Sequence, residues 1–402
     1  MRKLLLLALL LAAPCQAAVF SFSGYGDLRF ALPDSTDRSA LDGGLGKFRY
    51  GKGSSAVQFA GAVGQGTLLI TPELMATAVA RVDPNASPAV DLLEAFVRYR
   101  PVSVTRWRWA VKAGAFFAPF SLENTEIGWA PYWTLTPSAI NAWYGDELRT
   151  IGGEGTLEWR GEEGTLKFIA SAFGLNQPAG VMIASRGWMF DDTPTGLFQE
   201  LRVPDATLIL HHDTPPDSNP IFDQYDGHIG WYGGAVWSDA SGWRAEVDRY
   251  DNEADPGATD GDYFGWRTKF WNLGLSDRFG DVVLLAQAVT GNTVIAPSSS
   301  FRANTDFDSA YLLLGWERGD WRLALRGEEF HTRTHNTRGA SSGTSEFGTA
   351  GTASASWLPN DWMKLTGEVI LIESTRGGRS IEGLSVTRTD AQFQLNARFY
   401  WD

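Results

Sequence analysis

RWRWAVKAGAFFAPFSLEN, Arg106–Asn124, begins as a strict alternation and ends as something else. Arg106, Arg108 and Lys112 fall on one face, while Trp107, Trp109, Val111 and Ala113 fall on the other. A period of two is strand geometry. Pro119 then breaks the pattern, and alternation resumes only near Leu148. The stretch between is rich in Trp, Pro and Gly and contains no Lys or Arg. A hairpin needs only a short turn, so this excursion has another purpose.

The same alternation recurs outward in both directions. LEAFVRYR, Leu93–Arg100, sets Glu94, Arg98 and Arg100 against Leu93, Val97 and Tyr99. WRLALRGEEF, Trp321–Phe330, sets Arg322, Arg326 and Glu328 against Trp321, Leu323 and Leu325. In QFQLNARFYW, Gln392–Trp401, the polar face carries Gln392, Gln394, Asn396 and Arg398. A soluble sandwich would alternate in the same way, so two further features decide. Tight connections at 160–164, 238–242, 319–320 and 358–361 alternate with longer polar segments, and Trp159, Trp237, Trp243, Trp316, Trp321, Trp357 and Trp362 flank the tight ones. Short turns at one end and an aromatic belt beside them point to an all-β fold, a transmembrane antiparallel β-barrel of about 16 strands.

Strands are expected near 22–31, 46–60, 66–81, 91–100, 106–116, 148–160, 164–175 and 228–238. The series continues near 242–251, 262–273, 281–290, 306–317, 320–331, 344–357, 361–373 and 388–401. Residues 176–227, which include the strand-like TLILHH at 207–212, are read as one long external loop. Such a barrel must close, because lipid offers no partner to a free strand edge. At that size side chains do not fill the interior, so the lumen is expected to hold water.

Residues 1–17 read as a signal peptide: Arg2 and Lys3 precede an apolar run from Leu4 to Ala13, with small residues following. Residues 18–402 would then be the barrel domain. Cys15 is the only cysteine, so stability past that point cannot rest on disulfides. Formal charge is −13, and removal of Arg2 and Lys3 would make it −15, which argues against nucleic acid as a partner.

KAGAFFAPFSLEN, Lys112–Asn124, resembles the fifth-strand end of the phosphate-selective porin O/P family, in which a Gly, a Phe, a Pro-Phe and a Glu recur. Trp133–Trp143 followed by Gly145–Thr150 resembles related porins, and the motif spans roughly a tenth of the chain. The resemblance implies an outer-membrane porin, a homotrimer, and an inward-folded constriction loop after the fifth strand, here 117–147. One departure stands out. Such channels place Arg and Lys at the narrowest point, whereas this loop carries Glu123, Glu126, Asp146 and Glu147 and no basic residue.

Basic wall residues are expected to face those acids and to set a field across the pore. By parity the candidates are Arg29, Arg98, Arg106, Arg108, Lys112, Arg322 and Arg326, and Lys364, Arg398, Arg267 and Lys269 also count as inward. The alternative is cross-strand pairing with inward acids such as Glu154, Glu158, Glu328 and Glu368. His211-His212-Asp213 and the acidic run Asp251–Asp262 lack metal-ligand spacing, and no Ser-His-acid grouping can be aligned. No cofactor, metal or enzyme activity is therefore expected. The functional expectation is a passive outer-membrane channel for small hydrophilic solutes, leaning toward anions, with lipid and lipopolysaccharide as surroundings. A substrate-specific anion channel and a barrel that binds a partner through 176–227 are the alternatives.

Overall fold

The computed structural model describes residues 18–35, 37–51, 56–204, 218–337 and 345–402. The leader expected at 1–17, TLILHH at 207–212 and the His211-His212 pair lie outside the described residues.

Sixteen strands form one closed barrel. In chain order they are β1 (Val19–Pro33), β2 (Val57–Leu69), β3 (Leu74–Val82), β4 (Val90–Tyr99), β5 (Trp107–Phe116), β6 (Thr150–Arg160), β7 (Gly164–Gly174) and β8 (Gly230–Asp239). They continue as β9 (Arg244–Asp251), β10 (Arg267–Phe279), β11 (Val282–Ser298), β12 (Phe301–Arg318), β13 (Trp321–Asn336), β14 (Glu346–Asn360), β15 (Met363–Arg376) and β16 (Thr387–Trp401). Each pairs antiparallel with the next, and β16 closes on β1 from Gly24↔Trp401 to Pro33↔Gln392. Every wall edge is thereby paired, as a sheet surrounded by hydrocarbon requires.

The connections after the even strands up to β14 are short and lie at one end, hereafter the turn end. Those after the odd strands lie at the opposite, loop end and include the two longest, 117–149 and 175–229. Outward positions form an apolar band in which Leu273, Leu275, Leu312, Leu325 and Leu371 are all about half exposed or more. Exposed Trp107, Trp109, Trp321, Trp357 and Trp362 ring the turn end, with Trp321 stacked on Trp357 at 6.1 Å. An apolar surface that wraps a barrel and is edged by tryptophan suits lipid rather than water.

The wall departs from expectation at its start. The strands expected at 46–60 and 66–81 are displaced, because Phe48 and Tyr50 belong to a loop and point into the barrel, 2% and 4% exposed. A turn at 70–73 also cuts the second of them, where the Thr71 hydroxyl accepts from the amides of Glu73 and Leu74 at 3.3 and 3.1 Å. On β10 the parity is reversed: Thr268, Phe270 and Asn272 are fully buried inside, so Arg267 and Lys269 do not face the lumen. The strand begins at Arg267, not near 262, and Arg267 pairs with Asp251 at 3.2 Å.

Loops, not water alone, occupy the width of the lumen at the loop end. Phe120, Trp133, Trp143 and Tyr144 from 117–149, Trp188 and Phe190 from 175–229, and Phe48 pack on wall residues Phe270, Phe307 and Phe330. Each fully buried aromatic of this kind contributes roughly 1.5–3 kcal/mol. Read from the sequence as an external loop, the 175–229 connection turns inward in its described first part, with Ala179, Ala184 and Trp188 wholly buried.

Candidate functional site

The inward loop is tied to the wall through its backbone. Helix α1 (Ala139–Glu147) starts at Ser138, whose hydroxyl accepts from the Asn141 amide at 3.3 Å, a normal N-cap. Wall carboxylates satisfy the amides just before and inside that cap. Glu368 accepts from Leu135 and Thr136 at 2.6 and 3.1 Å, and Glu328 accepts from Ala139 at 2.8 Å. Between them lies Arg326, with a fully buried side chain. It donates to Glu328 (2.8 Å), Glu123 (3.0 Å) and the carbonyls of Thr136 and Pro137 (both 3.0 Å). A guanidinium taken out of water is tolerable only when its donors are satisfied in this way.

Of the four loop acids, three are structural. Glu123 accepts from the Ser138 amide, the Asn141 side chain and Arg326, and is fully buried. Glu147 closes α1 and caps a second, short helix, α2 (Val181–Ser185), accepting from the amides of Gly180, Met182 and Ile183 at 3.0, 2.8 and 3.1 Å. Gly180 fits there because its φ is +101° and a Cβ would lie 2.2 Å from the Thr268 hydroxyl. Asp146 pairs with Arg186; burial raises its carboxyl to about 6, against the pull of that arginine. Glu126 alone among the four keeps some exposure, 17% of its side chain, and bonds Lys364 at 3.2 Å and Arg398 at 2.9 Å.

Beside these loops, along the wall of β1 to β4, lie two adjoining cavities. At the loop end a cavity of about 230 Å³ is lined by Arg49, Tyr50, Gln58, Asp83, Thr193 and Arg202, among others. It shares Arg49, Asp83 and Thr193 with a strait of about 40 Å³, lined also by Tyr25, Asp27, Arg81, Gly128, Pro131, Asp192 and Arg398. The strait is much the smaller of the two. Two bulges shape its wall. Asp27 pairs with Gly61 and Leu28 with Phe59, which leaves Ala60 as an extra residue; likewise Val79 and Ala80 pair with Glu94 and Leu92, which leaves Leu93. Both extra residues turn inward and line the strait, as bulges re-aim side chains.

Charges in the strait are balanced, with Arg49, Arg81 and Arg398 against Asp27, Asp83 and Asp192. Asp192 links Arg29 to Arg49; burial acts to raise its carboxyl, but the two guanidiniums outweigh burial and hold it down at about 2. Arg398 bonds Asp27 at 2.8 Å and stacks over Tyr25 at 3.7 Å. The field is therefore a set of local pairs, not one basic wall facing one acidic loop.

The expected basic residues divide into three groups. Arg29 and Arg326 do meet loop acids, Asp192 and Glu123. Arg322 holds Glu317 at 2.7 Å and lies over Tyr132 of the loop at 3.9 Å. Arg98, Arg106, Arg108 and Lys112 do not reach the loop acids. Arg106 pairs with Glu162 (3.0 Å), Arg108 with Glu158 (3.7 Å) and Lys112 with Glu154 (3.3 Å), while Arg98 contacts the Met75 sulfur at 3.1 Å. Cross-strand pairing prevails there because β5 leads downward from the loop root, so its polar face looks into the turn end. Arg49, Arg81 and Asp192 were not anticipated. Arg81 shares the inward face of β3 with Thr77 and Val79, so parity could have found it; Arg49 and Asp192 lie on loops, where no period exists.

Solved structures with a similar fold include the outer membrane channel DcaP of Acinetobacter baumannii (TM-score 0.54, 11% identity, covering 97% of this chain and 100% of that one). The anion-selective porin from Comamonas acidovorans is comparable (0.53, 12%, 96% and 100%), as is OmpT, an outer membrane protein of Vibrio cholerae, in a trimer form (0.51, 10%, 96% and 100%). At these identities the likeness concerns fold alone. No protein-family model and no curated protein matches the chain. By architecture the chain is a closed sixteen-stranded antiparallel barrel, a fold it shares with these outer-membrane proteins.

Proposed function

We propose that the protein is a passive diffusion channel of a Gram-negative outer membrane, admitting small hydrophilic solutes with a lean toward anions. The observation that carries this reading is the asymmetric filling of the lumen. The inward loops pack against β8 to β15 with an apolar core. Toward β1 to β4 they leave a cavity whose lining sets six charged side chains, Asp27, Arg49, Arg81, Asp83, Asp192 and Arg398, among apolar ones such as Val63 and Leu93. Charged side chains that face a cavity beside the loops suit a path for hydrophilic solutes. In this reading 117–147 sets the width of the path, with Glu126 the loop acid that touches it. Assembly as a homotrimer belongs to the same reading, on the sequence resemblance and the trimer form of the Vibrio protein.

Planar-bilayer recording under a salt gradient tests it. The wild type should give discrete current steps of low conductance, since the inward loops fill much of the lumen. Glu126→Gln releases Lys364 and Arg398 from their shared carboxylate. It should shift the reversal potential toward anions, with a permeability ratio changed by a factor of about two or more. An unchanged reversal potential would remove Glu126 from the path.

A further inference from the structure

We infer that the turn end of the lumen holds a binding site for small oligoanions, solutes that carry two or more carboxylate or phosphate groups. The site is a cavity of about 260 Å³ on the inner face of β4 to β7, separate from the strait. That volume is just below the range of pockets for drug-sized ligands, which fits a small metabolite.

Strand register explains its shape. Arg98 sits opposite Lys112, which sits opposite Glu154. Two residues further toward the turns, Ala110 lies opposite Thr156. Two further still, Arg108 lies opposite Glu158, which lies opposite Lys167. The middle row is thus small, and the rows on either side are long and charged. Alternate residues of a strand lie about 7 Å apart, so the cations bracket a hollow wide enough for separated acidic groups. Arg100 lines the same cavity beyond the end of β4.

The charge is strongly one-sided. Five cations line the cavity against two carboxylates, Glu154 and Glu158. Both carboxylates are engaged: Glu154 with Lys112 and with the Tyr232 hydroxyl, Glu158 with Arg108. Among the described residues Arg98, Arg100 and Lys167 have no carboxylate within ion-pair distance, although all three line one concave wall. Cations held together without counter-charge repel one another, and an anion that bridges them removes the repulsion. Guanidiniums add a fork that matches a carboxylate or phosphate through two hydrogen bonds. A single small anion would meet only part of the ring, which is why the class is oligoanionic.

The inference deepens the lean toward anions and rests on the channel reading for its biological meaning, although binding here does not require an open strait. Titration calorimetry on the purified full barrel in detergent, at low ionic strength, tests it with citrate and pyrophosphate as probes and acetate as the monovalent control. Saturable binding of at least one oligoanion is expected, with acetate at least ten-fold weaker. In Arg98→Gln/Arg100→Gln/Lys167→Gln the affinity should drop ten-fold or more, and no acid is left unpaired because none was paired. Glu158→Gln should act in the opposite sense and tighten binding, by removing a carboxylate from the wall and freeing Arg108. A preference for citrate over pyrophosphate, or the reverse, assigns the carboxylate or phosphate class. Oligoanions no tighter than acetate, or affinities indifferent to these substitutions, would overturn the inference. A barrel that binds yet passes no current would keep this site and sink the channel, and a conducting barrel that binds nothing would do the reverse.

Discussion

Deleting residues 125–140 is expected to raise single-channel conductance at least about two-fold, since a sixteen-stranded wall encloses far more space than the strait now leaves. The segment contains Gly128 and Pro131, which line the strait, and Leu135, Thr136 and Ala139, whose amides hold the loop to Glu368 and Glu328. Its removal takes away both the obstruction and its anchors. The wall itself keeps every strand pair, because no part of 125–140 belongs to the barrel ladder. The folded barrel should therefore persist, seen as the usual change in gel mobility on heating. Conductance that is unchanged or lower would mean that this segment does not set the width.

Arg326→Met is expected to have the largest effect of any single substitution. It would strand two buried carboxylates, Glu123 and Glu328, and two carbonyls, Thr136 and Pro137, in a site that water does not reach. Breaking a buried pair from one side typically costs about 3–5 kcal/mol. The loss should fall on the loop more than on the wall. Protease cleavage within 117–149 should appear and single-channel current should become noisy, while the barrel band survives. Adding Glu123→Gln and Glu328→Gln should restore part of the loss, since neutral amides need no counter-charge; that coupling is what a mutant cycle reads. A variant as protease-resistant and quiet as the wild type would contradict the role given to Arg326.

Alternation made the wall legible. The count of strands, the segregation of tight turns and the aromatic belt follow from residues such as Trp321, Trp357 and Leu325, whose surroundings are set by their own strand. That 117–147 is no hairpin turn was legible through its length and prolines, while its inward fold was implied by the resemblance. What fills the lumen was not. Phe48 and Tyr50 look like strand residues because a loop packed inside a barrel is also half apolar. Arg326, which pairs with Glu123, and Arg29, which pairs with Asp192, lie 203 and 163 residues away in sequence, and no local period connects them. Nor does spacing distinguish an acid that faces solute from one that caps a helix, which is why Glu147 reads as a pore residue until α2 is seen beneath it.

The most direct measurement uses the absence of any cysteine after Cys15. Single cysteines can be placed at Ala130, beside the strait, and at Ala350, on the wall under the packed loops; both are nearly buried, 6% and 8% exposed. With each variant in a planar bilayer, a small charged thiosulfonate reagent reports which side of the lumen carries water. Ala130→Cys should react and lose most of its current, and Ala350→Cys should be silent. Block at Ala350→Cys with none at Ala130→Cys, or no current from the unsubstituted barrel, would contradict a solute path between the inward loops and the β1 to β4 wall.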